Sequence, residues 1–216
     1  MDIAIVGAHG QIARHLTRLL HRRGERVRGI IRNPDQAGDI AEDGARPIVL
    51  DLEDASVEQL ADAIEGADAV VFAAGAGPGS GAERKDSVDR DGAILLLQAA
   101  EQAGIDRYLI ISAMGTDDPP DDDEVFSIYL RAKAHADKAV MDSSLSWTVV
   151  RPGGLSDDPP SGMVALARHV PQGEVPRADV AAVLAAALED ATTVGHVVEV
   201  VAGGTPINDA IGALRR

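Results

Sequence analysis

Apolar residues along the chain follow two alternating patterns. Short continuous runs rich in valine, isoleucine and leucine predict buried strands, whereas apolar residues that recur every three or four positions predict amphipathic helices. The predicted strands are Ile3–Val6, Val27–Ile31, Pro47–Leu50, Ala69–Ala73, Tyr108–Ser112, Trp147–Arg151 and Val197–Val201. The predicted helices lie near Ile12–Arg23, Val57–Ile64, Val88–Ala103, Glu124–Met141, Ala178–Glu189 and Pro206–Leu214. Such alternation gives right-handed βαβ units, so the pattern predicts an α/β fold: a doubly wound parallel sheet with helices on both faces.

A glycine-containing turn joins the first predicted strand to the first predicted helix. Gly7 and Gly10 follow the strand directly, and the small Ala13 comes one turn later. In a dinucleotide site these positions allow a tight turn, close approach of phosphate to the backbone, and close packing of helix on strand. The alternative is an ordinary strand–helix turn, but the position between strand and helix favours nucleotide binding. The predicted cofactor contacts here are Gly7, His9, Gly10, Gln11, Ile12 and Arg14.

The end of the second predicted strand bears on the choice of cofactor. A site specific for NAD usually has an acid about twenty residues after the glycine turn, which binds the ribose 2′-hydroxyl. Arg32 stands there instead, and a guanidinium pairs with a 2′-phosphate. Arg14 would add a second positive charge. The alternative is a solvated arginine at a strand end; we expect NADP(H) to be favoured over NAD(H).

Two further strand ends predict cofactor contacts, because ligands of open α/β sheets bind at the carboxyl ends of the strands. Asp51 and Leu52 follow the third strand, and the small residues Ala73, Ala74 and Gly75 follow the fourth. The glycine-rich loop Gly75–Gly81 is either a mobile lid beside the nicotinamide or a connection without a role. The other predicted loops are Thr116–Asp123, Gly153–Gly162 and Gly203–Gly204.

Candidate catalytic residues lie beyond the fifth strand. Tyr129 and Lys133 are four positions apart, on one helix face. An ammonium beside a phenol favours the phenolate, so the pair predicts a lowered pKa for Tyr129 and a role as general acid or base. Ser112 ends the preceding strand and is placed to hydrogen-bond the same substrate oxygen. A chance match of a short motif is the alternative.

Composition and charge argue against several kinds of binding partner and site. The 216 residues carry a formal net charge of −15, which opposes binding to nucleic acid and to anionic membranes. With no cysteine there is no disulfide or thiolate site, and the six histidines have no metal-ligand spacing, so we expect no metal. The chain begins with a strand and has no apolar run of membrane length, which predicts a cytoplasmic protein. Monomer and homodimer both stay open.

An acidic segment, Asp117–Glu124, lies between Ser112 and Tyr129. It is either a solvated loop whose last acids favour the N-terminus of the following helix, or a rim that repels anionic substrates.

Taken together, these residues resemble the atypical short-chain dehydrogenases/reductases, of the compact NAD(P)-binding, NAD-dependent epimerase/dehydratase-like kind. The motifs that carry the resemblance are Gly7–Ala13, Arg32–Pro34, Asp51-Leu52, Ala73–Gly75, Ile110–Ser112, Tyr129-x-x-x-Lys133, Trp147–Gly153 and Arg177–Ala181. The resemblance implies a Rossmann-like sheet with strand order 3-2-1-4-5-6-7. It implies a single NAD(P)-binding domain over 1–216, in which 153–216 contributes a small substrate-side region.

The resemblance also implies roles for the site residues. Tyr129 would be the acid/base of a hydride transfer, Lys133 would bind the nicotinamide ribose, and Ser112 would steady the carbonyl oxygen. Pro152 would contact the cofactor. A fourth catalytic position, usually asparagine, matches Asp89, which either alters a proton relay or caps a helix.

The expected function is hydride transfer between NADPH and a small carbonyl or quinone substrate. The first alternative is a non-catalytic NADP(H) redox sensor or partner-binding protein. The second is a sugar-nucleotide epimerase, which would normally need a larger substrate region than Gly153–Arg216 offers.

Overall fold

A nine-stranded sheet forms the centre of the molecule in the computed structural model, which describes residues 1–77, 81 and 84–215. The strands are β1 Asp2–Val6, β2 Arg26–Ile31, β3 Ala45–Val49, β4 Ala69–Phe72, β5 Arg107–Ile111, β6 Ser146–Pro152, β7 Gly154–Ser156, β8 Met163–Ala167, β9 Glu174–Pro176, β10 His196–Ala202 and β11 Thr205–Pro206. The helices are α1 Gln11–Arg22, α2 Ala37–Glu42, α3 Val57–Ile64, α4 Gly92–Ala103, α5 Val125–Met141, α6 Arg177–Glu189 and α7 Ile207–Gly212. A π-helical segment, Lys85–Asp91, precedes α4. Short 3-10 turns lie at Pro34–Gln36, Ala191–Thr193 and Ala213–Arg215.

The sheet confirms the predicted α/β class and the strand order. Its order is β3-β2-β1-β4-β5-β6-β10-β8-β11, and every pair from β3 to β10 is parallel. The strand β10 takes the seventh place of the predicted order. Beyond it, β8 and β11 add an antiparallel edge, and β7 and β9 form a separate two-stranded sheet.

Several short elements differ from the sequence prediction. The strand β7 lies inside the predicted loop Gly153–Gly162, and β8, β9, β11 and α2 were not predicted. Strands of two or three residues are too short to show a period, and α2 buries a single side chain, that of Ile40. The predicted loop Gly75–Gly81, a lid or a plain connection, includes residues 78–80, which lie outside the described part of the chain.

The core consists of two apolar layers separated by the sheet. Alternate residues of β1 enter opposite layers: Ile3 and Ile5 pack with α1 and α6, whereas Ala4 and Val6 pack with α3, α4 and α5. A strand buried on both faces explains the continuous apolar run that predicted it. Within the described residues, no helix is both long and apolar enough to cross a membrane.

The topology brings two loops together at one sheet edge. The strands β1 and β4 are neighbours, but the chain leaves β1 toward β2 on one side and leaves β4 toward β5 on the other. This reversal of strand order leaves a crevice at the carboxyl ends of the strands, where open α/β sheets bind ligands. The loops after β1 and β4 line that crevice.

Candidate functional site

A cleft of about 1360 Å³ opens at the carboxyl ends of the central strands. It is lined by eleven of the predicted site residues: Gly10, Gln11, Ile12, Ala73, Ala74, Gly75, Asp89, Ser112, Tyr129, Lys133 and Pro152. A second pocket of about 290 Å³ shares Gly10 and the residues 73–76 with the cleft and adds Gly7, His9, Arg32, Asp51 and Leu52. The predicted residues therefore form one continuous groove. Arg14 lines neither part of it.

The turn at Gly7–Gly10 has the geometry of a phosphate cradle. Gly7 has φ +79°, and a Cβ there would lie 2.5 Å from Ala74 Cα, so only glycine fits. Gly10 precedes the first turn of α1 and offers no side-chain cap to it. The first N–H groups of this twelve-residue helix therefore face the groove, where the helix dipole favours an anion. These residues fit a dinucleotide pyrophosphate.

Two acidic residues, Asp39 in α2 and Asp43 just after it, contact His9 and Arg14 beside this cradle. His9 Nε2 lies 2.8 Å from Asp39 Oδ2. Arg14 Nε donates to Asp43 Oδ2 at 2.5 Å, and this hydrogen bond raises the pKa of Arg14. The guanidinium of Arg14 thus links α1 to the end of α2. The structure does not bring it to the predicted 2′-phosphate position. His9 lines the smaller pocket, so a phosphate contact by this residue stays a prediction.

Two arginines meet at a single carboxylate oxygen in the smaller pocket. Glu53 Oε2 lies 3.4 Å from Arg32 Nη1 and 2.9 Å from Arg84 Nη2. Ser87 Oγ donates to the other oxygen of Glu53 at 2.7 Å. The Ser87 hydrogen bond, with the charges of Arg84 and Arg32, lowers the pKa of Glu53. The two arginines of this cluster thus have the carboxylate of Glu53 as their common partner.

Asp51, a further predicted residue of this pocket, makes a hydrogen bond within its own loop. Its Oδ1 accepts the backbone N–H of Glu53 at 3.1 Å and so shapes the turn after β3. Sequence reasoning predicted Arg32 but missed Glu53 and Arg84. Arg32, Glu53 and Arg84 are spaced along separate segments of the chain, so no local pattern connects them.

Buried polar partners fix the position of Lys133 in the cleft. Its Nζ lies 3.2 Å from Asp89 Oδ1 and donates to the carbonyl oxygen of Ile111 at 3.1 Å. Both side chains of the pair are almost fully buried. Burial alone would lower the pKa of Lys133, but attraction to the phenolate form of Tyr129 and to the carboxylate of Asp89 outweighs it, so the pKa is raised and Lys133 keeps its charge. Asp89 also accepts the N–H of Ala76 at 3.1 Å, which ties the loop after β4 to the pair.

The environment of Tyr129 contradicts the predicted lowering of its pKa. The Lys133 ammonium lies 6.0 Å from the centre of the Tyr129 ring and does lower the pKa. Burial raises the pKa more strongly, and the charges of Asp89 and Asp137 add to the increase. The phenol is therefore protonated at neutral pH. The spacing of tyrosine and lysine could not reveal this, because burial is set by tertiary packing and Asp89 acts from another element.

The hydroxyl of Ser112 already has an acceptor inside the protein. Ser112 Oγ donates to Asp137 Oδ2 at 2.9 Å, and Arg151 Nε donates to the same oxygen at 2.9 Å. Asp137 is fully buried, and burial raises its pKa, although Arg151 and Ser112 counteract this. A serine has one O–H proton, so in this arrangement Ser112 can only accept a hydrogen bond from a ligand. The predicted donation to a carbonyl oxygen requires the hydroxyl to turn away from Asp137.

Three side chains of types that bind metals lie close together outside the lining of the cleft. Their spacing along the sequence did not predict this cluster. The ligand atoms of Asp117, His169 and Glu199 lie within 4.8 Å of one another. Asp117 also pairs with Arg151 at 2.5 Å and lies 3.5 Å from Arg168. These guanidiniums compensate the carboxylate and oppose a cation, so the cluster carries no metal assignment.

Comparisons with known proteins agree with this geometry. Residues 7–191 match the model of a family described as NAD(P)H-binding. The chain is 34% identical to the uncharacterized sugar epimerase YhfK of Bacillus subtilis over 215 residues, which cover 99% of this chain and all of that one. The structure of a Bacillus halodurans protein named for the NAD-dependent epimerases/dehydratases superposes with a TM-score of 0.92 at 37% identity, covering 99% of each chain.

A second solved structure supports the same assignment. The oxidoreductase ylbE of Lactococcus lactis superposes with a TM-score of 0.85 at 25% identity, covering 99% of this chain and 96% of that one. The predicted nicotinamide cofactor and Rossmann-like fold are therefore confirmed at the level of the family. This chain belongs to the NAD(P)H-binding family of Rossmann-fold proteins, whose model it matches over residues 7–191, and it is similar to epimerase/dehydratase-like relatives.

Proposed function

We propose that this protein is an NADP(H)-dependent oxidoreductase that reduces a carbonyl or quinone substrate. The observation that carries the proposal is the convergence of a protonated Tyr129, a charged Lys133 and the uncapped N-terminus of α1 on one cleft. A general acid and a cation beside a nicotinamide site are the groups that a carbonyl reduction needs.

Arg32 and Arg84 support the preference for NADP(H). Both guanidiniums approach one oxygen of Glu53, in the pocket formed by the ends of β2 and β3. A 2′-phosphate offers oxygens that match this pair better than a carboxylate does, since it carries more charge and can bind both groups at once. Arg32 and Arg84 would hold that phosphate, and Glu53 would move aside.

When bound, the reduced cofactor would supply a hydride for the carbonyl carbon. Tyr129 donates its phenolic proton to the carbonyl oxygen as the carbon–oxygen double bond becomes single. The ammonium of Lys133 stabilises the phenolate that remains, and Asp89 and the Ile111 carbonyl hold the ammonium in position. A proton from solvent then restores the phenol. Hydride and proton together account for the alcohol formed.

A second candidate, a redox sensor that binds NADP(H) without turnover, is favoured by one observation. Ser112 gives its proton to Asp137 and offers no donor to a substrate carbonyl. A protein that only reports the state of its cofactor would need no such donor.

The test is to incubate the purified protein and NADPH with a panel of aldehydes, ketones and quinones and to follow nicotinamide oxidation. The proposal expects turnover that Tyr129→Phe lowers by about 10²–10⁴-fold, the usual contribution of general acid catalysis. NADPH affinity should be nearly the same in both proteins. Tight NADPH binding without turnover across the panel would favour the sensor, and interconversion of sugar nucleotides would favour the epimerase.

A further inference from the structure

Exposed apolar side chains gather at the mouth of the cleft. Among the described residues, the large hydrophobic side chains exposed to solvent are Met1, Val49, Val125, Phe126 and Leu155. The last three all line the cleft, and Phe126, at 63% exposed, is the most exposed of the five. Single apolar residues on a surface are ordinary, whereas several around one concave site mark a binding surface.

These side chains continue inward as an apolar wall. Val125 and Phe126 lie in the first turn of α5, and Leu155 lies on β7. The ring of Phe126 stacks on that of Tyr129 with centroids 5.9 Å apart and planes inclined by 28°. The lining of the cleft also includes Met114, Leu130 and Pro152. A ligand that reaches Tyr129 from the mouth therefore passes over an aromatic and aliphatic surface.

The cations of the cleft all have partners. Lys133 pairs with Asp89, Lys85 donates to the carbonyl oxygen of Gly77 at 3.0 Å, and Arg177 pairs with Asp157 at 2.8 Å. Bidentate contacts from an arginine are a common way to bind a phosphate. The one arginine in the described lining of the cleft, Arg177, already has Asp157 as its partner.

Of these cations, Arg177 lies between the cofactor side and β7. The ion pair of Arg23 with Glu189 joins the C-terminal ends of α1 and α6, which pack side by side in one apolar layer. Their N-terminal ends therefore also lie together, which puts Arg177 beside the phosphate cradle of α1. Arg177 also follows β9, the partner strand of β7, and pairs with Asp157, two residues beyond Leu155, so its charge there is compensated.

Charge at the mouth opposes anions. The four residues before Val125, which are Asp121, Asp122, Asp123 and Glu124, are all acidic and exposed. The chain as a whole has a formal net charge of −15. A cleft bordered by one sign of charge lowers the local concentration of ligands of the same sign.

We propose that the substrate side of this cleft takes an uncharged compound with an aromatic body that carries the reducible carbonyl or quinone, and that it rejects sugar nucleotides. The identity of the reducible group rests on the proposed function, whereas the apolar, uncharged character rests on the cleft alone. The aromatic body would lie against Phe126 and Leu155, with the oxygen directed to Tyr129. The two phosphates of a sugar nucleotide would meet acidic residues and no free cation.

The test compares 1,4-naphthoquinone with UDP-glucose by equilibrium dialysis, with and without saturating NADP⁺. The chain has no cysteine, so the quinone is not consumed by thiols. Phe126→Ser and Leu155→Ser are the test variants. Val49→Ser is the matched control, because Val49 is similarly exposed, at 52%, but lines neither pocket.

We expect saturable binding of naphthoquinone that Phe126→Ser and Leu155→Ser each weaken by about 2- to 10-fold, the range for loss of one aromatic or aliphatic contact. Val49→Ser should leave binding unchanged, and UDP-glucose should not bind measurably. The proposal is overturned if naphthoquinone does not bind, if Val49→Ser weakens it as much as Phe126→Ser, or if UDP-glucose binds more tightly. In a separate sample with NADPH in place of NADP⁺, naphthoquinone binding without oxidation of the nicotinamide would count against the proposed function and leave this inference standing.

Discussion

Lys133 Nζ and Asp89 Oδ1 lie 3.2 Å apart and form a buried ion pair at the base of the cleft. The resemblance to the short-chain dehydrogenases/reductases leads one to expect an asparagine at the position of Asp89. The carboxylate holds Lys133 charged, but it also opposes the effect of that charge on Tyr129. The pair thus ties the lysine in place and leaves the phenol protonated.

Asp89→Asn should lower the pKa of Tyr129. The substitution removes a negative charge that raises the pKa and leaves Lys133 in place. The change can be measured by following phenolate absorbance against pH, since the chain has two tyrosines and Tyr108 is fully buried with a pKa raised well above its ordinary value. Tyr129→Phe identifies the signal. An unchanged or higher pKa for Tyr129 in Asp89→Asn would show that the ion pair does not govern the phenol.

The pH dependence of reduction follows from the same group. The protonated phenol is the required form, and it is lost as pH rises through the pKa of Tyr129, which lies above its ordinary value of 10.0. We expect kcat/KM for NADPH-dependent reduction to stay flat from neutral pH up to about pH 10 and to fall only beyond it. In Asp89→Asn the fall should begin at lower pH. A basic-side fall centred near neutrality in the unmodified protein would contradict the assignment of Tyr129 as the acid.

Arg84 should contribute to NADP⁺ affinity as Arg32 does. A hydrogen bond to a charged group is worth about 1.5 kcal/mol at the lower end of its range, which suits these partly exposed guanidiniums and corresponds to about 10-fold in affinity. Calorimetry on Arg32→Ala and Arg84→Ala should therefore show this loss for NADP⁺ and little change for NAD⁺.

Glu53→Gln supplies the opposite change at the same site. It removes the carboxylate that competes with the phosphate for Arg32 and Arg84, so NADP⁺ should bind more tightly to this variant. The 2′-phosphate would have to bind elsewhere if Arg84→Ala lowered the affinities for NADP⁺ and NAD⁺ equally, or if Glu53→Gln bound NADP⁺ more weakly than the unmodified protein.

The buried pair of Asp137 and Arg151 should matter for stability. Arg151 is 2% exposed and lies 2.9 Å from Asp137, which is 0% exposed. Asp137→Ala removes the buried partner of Arg151 and leaves it only the partly exposed Asp117, so the free energy of unfolding in urea should fall by up to roughly 3–5 kcal/mol, the cost of breaking a buried pair. Asp142→Ala is the control, because its pair with Lys138 is exposed on both sides and should contribute almost nothing. Equal stabilities for the two variants would show that the Ser112–Asp137–Arg151 network is not structural.

The features that sequence predicted are those set by local pattern or by topology. Gly7 and Gly10 show their role through a strand on one side and a helix on the other, and Tyr129 and Lys133 through helical spacing. The rule that parallel strands bring their carboxyl ends together then joins Asp51, Ala73 and Ser112 to one groove.

The features that sequence missed depend on contacts between distant segments. Glu53 contacts Arg84, and Ser112 contacts Asp137, although each pair is far apart in the sequence. The pKa of Tyr129 is raised by burial and by the charges of Asp89 and Asp137, against the charge of Lys133 alone, and spacing along the helix reveals neither the burial nor Asp89. Charged residues near the cradle, such as Arg14, are predicted correctly as neighbours but not in the direction that their side chains take.

One calorimetric titration tests most directly where the cofactor binds and which cofactor the protein prefers. The unmodified protein and Gly10→Val are titrated with NADP⁺ and with NAD⁺, and circular dichroism checks the fold of each sample. We expect NADP⁺ to bind the unmodified protein about 10-fold or more tightly than NAD⁺, and a folded Gly10→Val to bind neither, because its side chain fills the space of the pyrophosphate. Equal affinities for the two cofactors, or normal NADP⁺ binding by Gly10→Val, would contradict the account.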